Sequence, residues 1–139
     1  MSKSNVTEND IVKFLFNNTA MPSYGANLYL SLHTADPGEA GDQTTNEVTT
    51  GAYASYARIA VSRDNTGFTV TGNQSVNAAL AQFPQCTGGS GATITHVGIG
   101  TSSSGAGQLL ASGALNAPLA VSNLIQPQFA ASALTYSED

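Results

Sequence analysis

His33 opens the stretch HTADPGEAGDQTTNE, which holds four carboxylates, Asp36, Glu39, Asp42 and Glu47. Residues of these types can hold a metal ion, work as an acid and base pair, or solvate a loop. The segment from Asp36 to Glu47 has the twelve-residue length of a calcium-binding EF-hand loop. That loop needs oxygen ligands at alternating early positions and a helix on each side. Pro37 and Gly38 take the early ligand positions here, and neither flank has helical spacing, so calcium is not expected. His33 and His96 with Asp36 would suit zinc or another transition ion, but nothing in their spacing forces them together. A glycosidase needs two carboxylates at a fixed separation, which one flexible loop does not hold.

Other reactive types fare no better. Serines are plentiful, yet no G-x-S-x-G elbow is present, and SSSGAGQ has the composition of a connection. The glycines of GGSGATITHVGIGTSSSGAG do not lie between a strand and a helix that it opens, as a dinucleotide cradle requires. Cys86 is the single cysteine, which excludes an internal disulfide and a cysteine-built zinc site and suits a small buried residue. Tyr56 reads as core, Tyr53 as core or contact aromatic, and Arg58 as the partner of an acid across the sheet or of a neighbouring protein. The acidic stretch therefore reads as a protruding, solvated loop whose Pro37 and Gly38 begin a turn. No catalytic, metal or cofactor residue is assigned.

The elements around these residues are mostly strands. TENDIVKFLFNN gives one short helix with Thr7 as its cap, apolar Ile11, Val12, Leu15 and Phe16 at helical spacing, and a stop at Asn17, Asn18 and Pro22. From Asn27 the period changes to two. Leu28, Leu30 and Leu32 would face a core while Tyr29, Ser31 and His33 face the other way, as in a half-buried strand. SYARIAVS and FTVTG, joined by RDNTG, read as a hairpin. Further alternating pieces lie around Ala79 to Phe83, Ile94 to Gly100, Gln108 to Leu115, Leu119 to Val121 and Phe129 to Tyr136. Frequent turn signals and little helix predict an all-β antiparallel sandwich, jelly-roll-like, over residues 27–139, preceded by an arm and short helix at 1–26.

Composition narrows the classes further. The chain has 139 residues, of which only 9% are charged although 41% are hydrophobic. A polar but weakly charged surface is expected of extracellular or particle-bound β-proteins rather than of a cytosolic enzyme. A net charge of −5 with four cations argues against nucleic acid and against an anionic membrane surface. No stretch has the length of an apolar membrane span, and MSKSNVTEND lacks the apolar core of a signal peptide.

With LYLSLHTADPGEAG, NEV, YARIAV, FPQCTGGSGATITHVGIG, GQLLASGAL and FAASALTYSED in this order, the chain resembles a family of small virion proteins of tailed bacteriophages, often called tail fibre proteins. LHTADPGEAG, YARIAV, ITHVGIG and LLASGAL are the most specific pieces. The resemblance implies a non-enzymatic β-sandwich assembled on the phage particle. It brings no catalytic motif. Because the chain has no repeat, heptad or collagen-like segment for a shaft, capsid decoration is ranked above tail fibre. The expectation is a cement protein made in the host cytoplasm that binds the outside of the capsid, stabilises the head, and contacts the major capsid protein and itself as a homodimer or homotrimer. Contacts are expected from the N-terminal arm through Val6, Ile11 and Phe14, from Asp36, Glu39, Asp42 and Glu47 in the loop, and from Tyr53. Two alternatives stand beside it: a tail module that binds a host receptor or glycan, and a cell-wall hydrolase using the loop acids.

Overall fold

The computed structural model describes residues 1–138. Within them β1 (Ser2–Lys3), α1 (Asn5–Phe16), β2 (Asn27–His33), β3 (Ile59–Ser62), β4 (Phe68–Thr71) and β5 (Gln74–Asn77) follow one another. Then come β6 (Ala81–Gln82), β7 (Ala92–Gly100), β8 (Leu109–Val121), β9 (Gln128–Phe129) and β10 (Thr135–Ser137). The strands form a five-stranded sheet in the order β1-β8-β7-β2-β3, a three-stranded sheet β10-β5-β4 and a ribbon β6-β9. Every pairing is antiparallel. The chain is an all-β protein of sandwich type with one short N-terminal helix, as its turn-rich alternating pattern predicts.

Alternation fixes which face of the main sheet is apolar. Leu30 lies opposite Ile59 on one side and Ile99 on the other, and Leu32 lies opposite Val97, so these side chains share one face. Against it pack Tyr53, Phe83, Cys86 and Leu134, with Phe129 at the margin. Tyr53, Tyr56, Phe83 and Phe129 run as a chain of rings with centroids 5.5, 6.3 and 6.4 Å apart. Burying several such side chains, each worth about 1.5–3 kcal/mol, is the main drive for closing the layers. Asn77 is also inside. It donates to the carbonyls of Ala79 and Ala130 and accepts from the N–H of Leu134, which sews β5 to the C-terminal segment.

The opposite face of β2 is buried as well, which corrects the half-buried reading. Ser31 and His33 are fully enclosed, because the segment after His33 folds back over them. Its Val48 N–H donates to the carbonyl of Leu32, and its Gln43 reaches the next connection, accepting from the N–H of Ser102 and donating to that residue's carbonyl. Two glycines of ITHVGIG make room for these enclosed side chains, Gly98 for Ser31 and His33 and Gly100 for Gln43. A Cβ at Gly98 would lie 2.7 Å from His33 Nε2 and 2.7 Å from Ser31 Oγ, and one at Gly100 would lie 2.1 Å from Gln43 Cδ.

Three further details differ from the sequence reading. β3 and β4 are not a hairpin: β3 pairs with β2 and β4 with β5, so RDNTG is a crossing between sheets. The turn chemistry lies instead at Gly72 and Asn73, with Gly72 at φ +62°. The helix begins earlier, with Ser4 rather than Thr7 as cap, its hydroxyl accepting from the Thr7 N–H. The pieces at 108–115 and 119–121 are one strand, β8, whose pairing with β7 shifts between Ile94 and His96. Pro118 stands in that interruption, where no ladder bond is needed from it.

Gly100→Ala should destabilise the fold by about 1–3 kcal/mol, since Gln43 and the layer it anchors must shift. Urea unfolding will read this, with Gly51→Ala, whose new Cβ meets its nearest atom at 3.8 Å, as a control. The control should stay within about 0.5 kcal/mol of the parent.

Candidate functional site

The four carboxylates are tied into the fold one by one. Glu47 is paired with Arg58, whose Nε and Nη2 donate to its two oxygens at 2.7 Å each. Arg58 also donates to the carbonyls of Ser102 at 2.9 Å and Gly105 at 2.7 Å. The Tyr56 hydroxyl donates to Glu47 at 2.6 Å and accepts from the Leu32 N–H at 3.1 Å. The Arg58 side chain is only 3% exposed and that of Glu47 14%, so both are largely desolvated. The Glu47 hydrogen bond raises the Arg58 pKa further, and burial followed by the Glu47 hydrogen bond pushes the Tyr56 phenol far up. Of the two readings weighed for Arg58, the intramolecular pair is the one formed.

Asp42 closes a turn. Its Oδ1 accepts from the Thr44 N–H at 2.7 Å and from the Thr44 hydroxyl at 2.6 Å, and these bonds hold its pKa below the usual range. Asp36 does the same for Gly38 at 2.9 Å. Glu39 is exposed, with the Ser2 hydroxyl donating to it at 3.3 Å, and its carbonyl receives the Asn5 N–H. The stretch is thus a folded cover whose acids are mostly occupied, not a protruding solvated loop. Asp36 and Glu39 remain accessible to a partner.

His33 looks at first like a base beside a nucleophile, since Ser31 Oγ is 2.8 Å from its Nε2. The other nitrogen, Nδ1, is 2.9 Å from the Thr45 carbonyl, which only accepts, so Nδ1 carries the proton and Nε2 accepts from Ser31. Both side chains are wholly buried, leaving a substrate no path to the hydroxyl. His96 lies opposite His33 in the ladder, but its Nδ1 meets its own neighbour, the Thr95 hydroxyl. Among the described residues no three His, Cys, Asp or Glu side chains gather as a metal ion would require.

The remaining interface expectations divide sharply. Tyr53 is a correction: it is fully buried, its hydroxyl donates to the Pro84 carbonyl, and burial pushes its pKa up to about 12, so it offers no face to a partner. None of the five tyrosines is exposed. Val6 and Phe14 are about half exposed, and Ile11 is partly so. Sequence reading passed over three stronger candidates on the same helix: Val12, Leu15 and Phe16, exposed by 54, 62 and 78%. Their helical spacing is the signal in the sequence that marks them.

The helix attaches by polar groups instead. The Ser4 N–H donates to the Leu110 carbonyl, and Gln108 donates to Thr7 and Asp10. Below it lies a groove of about 480 Å³ between the two sheets, lined by Leu28, Ile99 and Ala111 on one wall and by Phe68, Val70 and Tyr136 on the other. Its lining is largely apolar.

The profile of a family described as "Podophage GP4 fiber I protein gp80" matches residues 2–137. The chain belongs to that family and is a phage structural protein. No curated protein matches it.

Two outcomes follow for the buried groups. Arg58→Met, which strands Glu47 without its charge partner, should cost about 3–5 kcal/mol in urea unfolding, whereas the double variant Arg58→Met with Glu47→Leu should recover much of the loss. Burial lowers the His33 pKa from its ordinary 6.5, so the folded state binds fewer protons than the unfolded one below that pH. Stability is complete above pH 6.5 and falls as pH drops through the window beneath it, with a limiting slope of about 1.4 kcal/mol per pH unit. His33→Gln should flatten that part of the profile.

Proposed function

We propose that this protein is a non-enzymatic module of a phage fibre, working through its surfaces as a building unit of the virion. The observation that carries this is the family match, which spans nearly the whole described chain and names a fibre. The exposed apolar helix supports it, because a patch of that kind marks a protein–protein contact in a folded domain. The buried Ser31–His33 pair and the occupied acids support a role without catalysis. Capsid decoration, ranked first from sequence because no shaft is encoded, gives way to the fibre reading: a small module can sit at one end or at a joint of a fibre whose length comes from other chains.

In this reading the arm and helix, with Asp36 and Glu39 beside β1, face neighbouring virion proteins. Receptor or glycan recognition would be a property of the assembled fibre.

Gold-labelled antibody against this chain, imaged on intact virions, should mark fibres. Label spread evenly over the head would replace the fibre reading by decoration, and virions free of label would end both.

A further inference from the structure

Between the outer edge of β8 and the C-terminal segment lies a slot of about 550 Å³. One wall is residues 113–117, and the other is residues 127–129 and 133–135. Leu32, Val97, Leu119, Phe129 and Leu134 give it an apolar lining. A strand that lined a cavity with its face would contribute every second residue, because side chains alternate. Here consecutive residues of β8 line it, so the slot runs along the edge of the strand.

The backbone on both walls is unpaired. The Ser4 N–H donates to the Leu110 carbonyl, so Leu110, Ser112 and Ala114 turn their N–H and C=O away from β7. β1 covers that row as far as Ser112 and leaves Ala114 open. Leu115, Asn116 and Ala117 fall in the register shift and have no opposite residue on β7. Across the slot the Phe83 N–H donates to the Pro127 carbonyl and the Glu138 N–H to that of Asn73. By the same alternation Gln128 and Thr135 turn their backbone groups away from β6 and β5. Among the described residues no backbone group of another segment bonds to these positions.

These walls specify what fits. Free N–H and C=O groups along a sheet edge are met by another extended backbone, and the apolar lining suits apolar side chains at alternate positions. No charged side chain lines the slot among the described residues, so a charge entering it would lose water without gaining a partner. Met1, beside Gly113, brings its amino group to one end. β1 already holds the adjoining rungs antiparallel to β8, while Pro118, which has no N–H, ends the strip at the other end. From these observations we infer that the slot receives an extended, uncharged segment of another protein, which adds to β8 in the row that β1 begins and sets apolar side chains over Leu32, Val97 and Leu119. At about 3.3 Å per residue the strip takes roughly five residues of such a segment. A cavity of about 150 Å³ holds one benzene ring, so the slot has room for the side chains that point inward. This adds a mode of contact to the virion reading without resting on it, since its test needs only the purified chain.

A short blocked peptide of alternating valine and threonine, added to the isotope-labelled full-length chain, should shift the amide signals of residues 113–117, 128 and 135 saturably. The same peptide N-methylated at its threonines keeps the side chains but loses the donors that face β8, and should bind at least about tenfold more weakly. Ala117→Lys puts a charge on the strip, and Ala114→Pro removes an N–H that β7 does not use. Each should weaken binding by at least about tenfold with the dispersion of the amide spectrum retained, since both positions are exposed. No saturable shift, equal binding of the N-methylated peptide, or binding unchanged in both variants would each overturn the inference. A parent chain that self-associates through residues 113–117 would put a second copy in the slot and overturn it too.

Discussion

Arg58 and Glu47 join three stretches that the sequence keeps far apart. Glu47 ends the cover that runs back from His33, Arg58 leads into β3, and the Arg58 guanidinium reaches on to the carbonyls of Ser102 and Gly105 between β7 and β8. Four of its five N–H groups are used, each on an oxygen that would otherwise need water. A buried ion pair contributes little net stability against an apolar replacement, because desolvation consumes the Coulombic gain. Its effect is to permit one arrangement. With Tyr56 spanning from Glu47 to the Leu32 backbone, the pair fixes where the cover lies on β2, and the cover in turn encloses His33, Ser31 and Gln43.

That enclosure gives the chemistry-bearing residues near the start of the sequence structural partners in this fold. Asp36 and Asp42 close turns, Glu47 holds an arginine, and His33 is kept neutral between a hydroxyl and a carbonyl. The acids and the histidine need each other as scaffolding because a loop laid across a sheet brings backbone N–H and C=O groups out of water, and those groups must be met by something. Short polar side chains meet them here. The glycines at 98 and 100 belong to the same design, since Gly98 leaves room for the Ser31 and His33 side chains of the adjacent strand and Gly100 for Gln43 of the cover.

What could be read in advance was set by period and by turn residues. The two-residue alternation of Leu28, Leu30 and Leu32 named the core face correctly, and Asn17, Asn18 and Pro22 marked the end of the helix. The cover over β2 left no such trace. Alternation predicts which side chains share a face, but not whether a distant polar segment later covers the other one. For the same reason RDNTG passed as a hairpin turn: its composition reports that the chain bends there, while strand partners depend on contacts made far along the chain. The Arg58 pair was legible only as a choice between an acid across the sheet and a contact with a neighbouring protein.

In the helix the expected contact residues Val6, Ile11 and Phe14 share the element with a more exposed set. A stripe at positions 12, 15 and 16 is the ordinary mark of a core-facing helix, yet here Thr7 and Asp10 turn inward and the stripe turns out. Local sequence sets the amphipathic pattern of a helix but not the surface that receives it. When the receiving surface lies on another molecule, the pattern in one chain is identical to that of a core. The distinguishing sign exists only in three dimensions, as an apolar face left in water beside a groove that its own chain does not fill. Here that sign is the outward face of Val12, Leu15 and Phe16, the most exposed apolar side chains of α1.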